Sequence, residues 1–66
     1  MFMKVSVYVK VNNRPKSIYS ENVQVSEDKS LNEIGRLNHD IAWEFLEKNP
    51  HFKGLVCEVR GVVTVL

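Results

Sequence analysis

A chain of 66 residues with net charge +1 reads as one small domain spanning residues 1–66, able to hide only about 60% of the surface its unfolded form exposes. A single cysteine, Cys57, excludes an intramolecular disulfide framework and points to a reducing, cytoplasmic setting. Cys57, His39 and His51 lack the paired short spacing of a closed metal site, which needs about four ligands, and no cofactor motif is present. Oligomerisation is therefore the expected source of extra stability.

The opening "MFMKVSVYVKV" is interrupted by Lys4 and Lys10, so it is expected to be neither a signal peptide nor one of the roughly 20-residue apolar stretches that cross a membrane. Apolar residues instead occupy every odd position from Met3 to Val11, with Lys4, Ser6, Tyr8 and Lys10 between them. That alternation predicts a half-buried strand. "NNRPKS", Asn12 to Ser17, reads as a turn or short loop, because asparagine tolerates left-handed geometry and proline pre-sets a bend. A second strand, Ile18 to Val25, follows with Tyr19, Val23 and Val25 on one face, and it is expected to pair with the first as a hairpin.

"SLNE" has the form of a capping box, with Ser30 accepting from the backbone amide of Glu33 and the Glu33 side chain reaching back. The helix it opens runs from about Leu31 to Asn49, where Pro50 disfavours helical geometry in the preceding residue. Leu37, Ile41, Ile34, Phe45, Ala42 and Leu46 form its apolar arc. Trp43 lies about 120° round from Leu31 at 100° per residue, off that arc beside Asn32, Arg36 and His39. It is expected to be partly exposed.

The last segment, Leu55 to Leu66, is rich in β-branched residues. Leu55, Cys57 and Val59 are expected to face the helix, with Cys57 as buried filler, opposite Val56, Glu58 and Arg60. Beyond Gly61 the apolar residues serve both faces, so this end is expected to be covered or paired. A β-β-α-β order with a right-handed crossover gives an α+β fold. Its three-stranded antiparallel sheet takes the order 2-1-3, with the helix on one face and the other face bare. In element order alone, the hairpin followed by one helix is similar to small antitoxin domains with a partial ribonuclease-H fold. Their glycine-rich and proline-rich turn between second and third strands is missing here, and nothing of function or residues is carried over.

No catalytic signature emerges. His39 has only Asp40 as a carboxylate neighbour in sequence, and Asp40 points elsewhere. The leading expectation is a non-enzymatic interaction protein, a homodimer joined through its last strand at Val56, Val62 and Leu66. It would bind an unidentified protein through Arg36, His39 and Trp43, since Trp and Arg dominate binding energy at interfaces. The size also fits a phage or prophage accessory factor acting on a host protein. The alternative is a nucleic-acid binder using Lys4, Tyr8, Lys10 and Arg60 on the open sheet with Arg14 and Lys16 in the hairpin loop. A small hydrolytic enzyme ranks third.

Overall fold

A computed structural model describes residues 1–65. The elements run β1 (Phe2–Val11), β2 (Arg14–Gln24), α1 (Leu31–Lys48), a 3₁₀ turn (Pro50–Phe52) and β3 (Val56–Thr64). The sheet has the order β2-β1-β3, with both outer strands antiparallel to β1. Fold class and strand order are those expected from the sequence. No described helix is long and apolar enough to cross a membrane.

Alternation makes β1 the central strand. Met3, Val5, Val7 and Val9 are buried against the helix, whereas Lys4 and Lys10 are exposed on the opposite face. The turn after β1 is tighter than expected. Asn12 and Asn13 adopt φ of 52° and 64°, and two consecutive left-handed residues close a two-residue hairpin whose twist matches the strands. Arg14 already pairs with Val11, and Pro15 with Lys10. Proline is tolerated there because β2 is an edge strand, with one row of backbone groups free of partners. Ile18 has no counterpart on β1, since Val7 opposes Tyr19 and Tyr8 opposes Ser17. It is a β-bulge. The ladder is extended at its far end where the Val25 amide donates to the Met1 carbonyl at 2.9 Å.

Ser30 caps α1, its Oγ accepting from the Glu33 amide at 3.2 Å. The Glu33 carboxylate returns to the Ser30 hydroxyl, accepting at 3.2 Å, rather than to its backbone N–H as expected. At the other end Asn49, at φ −133° and ψ 64°, leaves the helical region, which a following proline disfavours, and its side-chain amide donates to the Phe45 carbonyl at 3.0 Å. Between these caps Ala42 and Leu46 are buried, and Ile34, Leu37, Ile41 and Phe45 are half-buried. Met3, Val5 and Val25 form the central cluster, packed by Met1, Val23, Ile34, Leu37 and Ile41. A second, aromatic cluster closes the far end. Phe45 stacks on Tyr19 at 4.3 Å between centroids and lies 6.0 Å from Phe52 on its way out of the 3₁₀ turn.

One helix over three strands leaves the chain open. Its radius of gyration is 12.5 Å, against about 11 Å for a compact domain of this length. Its accessible surface is 4927 Å², against about 4,300 Å² for a folded monomer of this mass. Phe2, Val62, Val63 and Val65 contribute to that excess, exposed by 40%, 50%, 40% and 71%.

Candidate interaction surface

The apolar excess gathers on β3 and the helix flank above it. β3 pairs with β1 alone, so its outer row of backbone groups is unpaired by any described residue. A bulge sits near its start, where Tyr8 opposes Glu58 and Val9 opposes Val56, leaving Cys57 without a counterpart. Two sequence expectations change as a result. Cys57 is exposed rather than buried filler, its thiol 3.5 Å from the Tyr8 carbonyl. Val56 lies on the helix-facing side with Val9 and is half-buried, because the extra residue shifts the alternation by one. Past the bulge the alternation is regular. Val59, Gly61 and Val63 oppose Val7, Val5 and Met3 on the helix side, while Glu58, Arg60 and Val62 oppose Tyr8, Ser6 and Lys4 on the open face. Of the expected dimer residues, Val62 is on the exposed edge strand; Leu66 lies outside the described residues.

The two sheet edges differ. β2 carries Pro15, the Ile18 bulge and a polar run through Lys16, Ser17, Ser20, Asn22 and Gln24, all devices that discourage edge-to-edge pairing. β3 has charge only at Glu58 and Arg60, then continues as Gly61, Val62, Val63, Thr64 and Val65. Its second half is unprotected.

Above β3 stands the helix flank with the tryptophan. Trp43 is 51% exposed. The His39 ring, one turn earlier, lies nearly parallel to it at 6.2 Å and 6°, and Lys53 Nζ sits 5.2 Å from the ring centroid while bonding Glu47 at 3.2 Å. Arg36 is exposed on the same flank. Lys53 arrives from the connection after α1, so its part in the patch depends on the chain's path and no helical spacing announces it. Mid-helix, Asn38 packs on β3. A Cβ placed on Gly61 would stand 3.0 Å from Asn38 Cγ and Oδ1, tighter than ordinary contact, so any larger residue there would require the Asn38 side chain to give way. Asn38 Oδ1 is buried without a hydrogen-bond partner among the described residues.

The residues weighed for nucleic-acid contact divide between two faces. Lys4, Tyr8, Lys10 and Arg60 share the open face, whereas Arg14 and Lys16 oppose Val11 and Val9 and so project to the helix side, directly opposed residues pointing the same way. On the open face the Arg60 guanidinium lies 5.2 Å from the Tyr8 ring centroid and donates to Glu58 at 3.0 Å. The ring a base would stack on is already partly covered by a neutralised cation. Ser6 and Ser20 hydroxyls bond across the strands at 2.9 Å.

A shallow polar groove of about 260 Å³ separates β2 from α1, lined by Tyr19, Glu21, Ile41, Glu44 and Phe45. There the Tyr19 hydroxyl donates to Glu21 at 2.8 Å. That bond holds the phenol pKa above its ordinary value, since ionisation would lose the bond and set two anions together. Lys48 bonds Glu44 at 3.1 Å, and no histidine, cysteine or serine lines the groove. Contrary to the expectation that Asp40 points elsewhere, His39 Nδ1 and Asp40 Oδ1 are 3.7 Å apart, but on side chains 75% and 67% exposed, without the desolvated setting that tunes a catalytic pair. No group of three or more His, Cys, Asp or Glu among the described residues is placed to hold a metal ion.

No family model matches the chain, and no curated protein or solved structure matches it either.

Proposed function

We propose that this chain is a non-enzymatic interaction protein that self-associates through the outer edge of β3 and in that form binds or modulates another protein. The contrast between its two edges carries the reading: β2 is defended against strand pairing along its length, and β3 is undefended from Gly61 onward. An exposed apolar edge is an aggregation hazard unless it has an assigned occupant. Antiparallel pairing of two β3 strands about a two-fold axis closes both edges into one six-stranded sheet. The excess surface and open shape of the single chain favour the same arrangement. Beyond the axis, the acidic outer side of α1, with Asp40, Glu44 and Glu47, is available to a further partner.

Light scattering at micromolar concentration is expected to give about twice the 7.6 kDa chain mass, and Val62→Lys to shift the equilibrium to monomer, because a two-fold axis introduces each lysine twice. A monomer at every concentration would remove the reading.

A nucleic-acid role draws less support, since its cations are split between faces and Arg60 is tied to Glu58. Short RNA and DNA oligomers are expected to bind no more tightly at 20 mM than at 200 mM salt, although phosphate contacts would weaken binding steeply over that range. Strong salt-dependent binding, lost in Lys4→Ala/Lys10→Ala, would reinstate the open face as the working surface.

A further inference from the structure

Resting on that self-association, we infer that the two-fold axis passes beside Gly61, setting Val59 opposite Val63 of the second copy, and that the α1 flank bearing His39 and Trp43 closes over the same axis. In an antiparallel pair about a two-fold axis, opposed residues share a face and stand equally far from the residue on the axis. The axis must therefore fall on one residue of β3. After the Cys57 bulge the regular ladder runs from Glu58 to Thr64, and its midpoint is Gly61. Placing the axis at Arg60 would set two guanidinium groups directly opposite each other, which is destabilising, and would draw the bulged Cys57 into the ladder. At Val59, the residues Val63 and Thr64 would oppose Leu55 and Gly54, which precede the strand. At Val62, Val59 would oppose Val65, beyond the strand's end, and Glu58 would oppose a position outside the described residues. With the axis at Gly61, Arg60 opposes Val62 and Glu58 opposes Thr64, so no like charges meet.

The helix supports the same axis. α1 packs over β1 and β3, with Asn38 directly on Gly61. Two opposed glycines leave the sheet without side chains at the axis, so each Asn38 seats on its own Gly61 and no strand side chain stands between the two copies there. The two helices then run antiparallel about the axis. Trp43, half-exposed beside the free edge, gains a covering helix.

Disulfide trapping tests the register. In a Cys57→Ser chain, Val59→Cys and Val63→Cys are placed together and singly; both valines are at least 37% exposed, so either thiol is tolerated. Opposed residues in an antiparallel pair have Cα separations of about 4.5–5.5 Å, within disulfide range. The double variant is expected to oxidise to a covalent dimer carrying 59-to-63 links. It should do so roughly tenfold or more faster than either single variant, since only paired thiols meet at an effective concentration of order mM. Peptide mapping of the oxidised dimer identifies the link. A dimer by light scattering that links 59 to 59 or 63 to 63 overturns the register and leaves self-association standing. A chain that stays monomeric by light scattering overturns both.

Discussion

Met3→Ala is expected to lower unfolding stability by about 2–5 kcal/mol, the range for removing a long buried side chain and leaving a cavity. Met3 has no exposed surface, and it sits in the cluster of Val5 and Val25 that receives Ile34, Leu37 and Ile41 from the helix. At about 0.05–0.15 kcal/mol per residue a chain of this length has only about 3–10 kcal/mol in total, so one substitution removes roughly a fifth of it at the least. Collapse around the gap is limited, because β1 is held on both sides by ladder partners, Val23 and Val63 at this position. The neighbouring Phe2→Ala is the control: Phe2 points to the open face and is 40% exposed, so it is expected to cost under half as much. Denaturant midpoints for the two variants, with an unchanged slope, provide the measurement. Equal midpoints would mean that the hairpin's N-terminal end is not where the core sits.

Local chemistry made much of this architecture legible. Strict alternation placed β1 and chose its buried face, Ser30 and Pro50 bounded the helix, and crossover handedness ordered the strands. The bulges were hidden because a bulge is a property of two strands together. Leu55 to Arg60 alternates smoothly in isolation, yet pairing with β1 leaves Cys57 without a counterpart and reverses the roles of Cys57 and Val56. Pro15 suggested a longer turn, whereas two left-handed asparagines suffice. Asn38 was passed over because only apolar residues define a hydrophobic arc, although it falls within that arc. Gly61 was the available signal, since a glycine inside a strand pattern often marks close backbone approach. What the sequence separated as helix flank and strand edge, the fold places side by side.

Phe45→Ala and Trp43→Ala are expected to separate packing from association. Phe45 lies between Tyr19 and Phe52, stacked at 4.3 Å and 6.0 Å, and its removal breaks the link between β2, α1 and the 3₁₀ turn, at a cost of about 3–5 kcal/mol in folding stability. Trp43 has half its surface in solvent, with the His39 ring and Lys53 Nζ beside it. Its truncation is expected to cost the single chain about 1 kcal/mol or less. The balance reverses in association. A tryptophan covered at an interface contributes about 2 kcal/mol or more, and the two-fold dimer loses two of them, equivalent to a roughly 1,000-fold rise in the dimer dissociation constant. Denaturant titration at a concentration where the protein is monomeric reads the folding cost, and dilution followed by Trp43-independent light scattering reads the association cost. In the unmodified chain, tryptophan emission is expected to move to shorter wavelength as concentration rises and the ring leaves water. A Trp43→Ala chain that dimerises as tightly as the parent would detach the helix flank from the β3 edge. One that unfolds as readily as Phe45→Ala would make the ring part of the core.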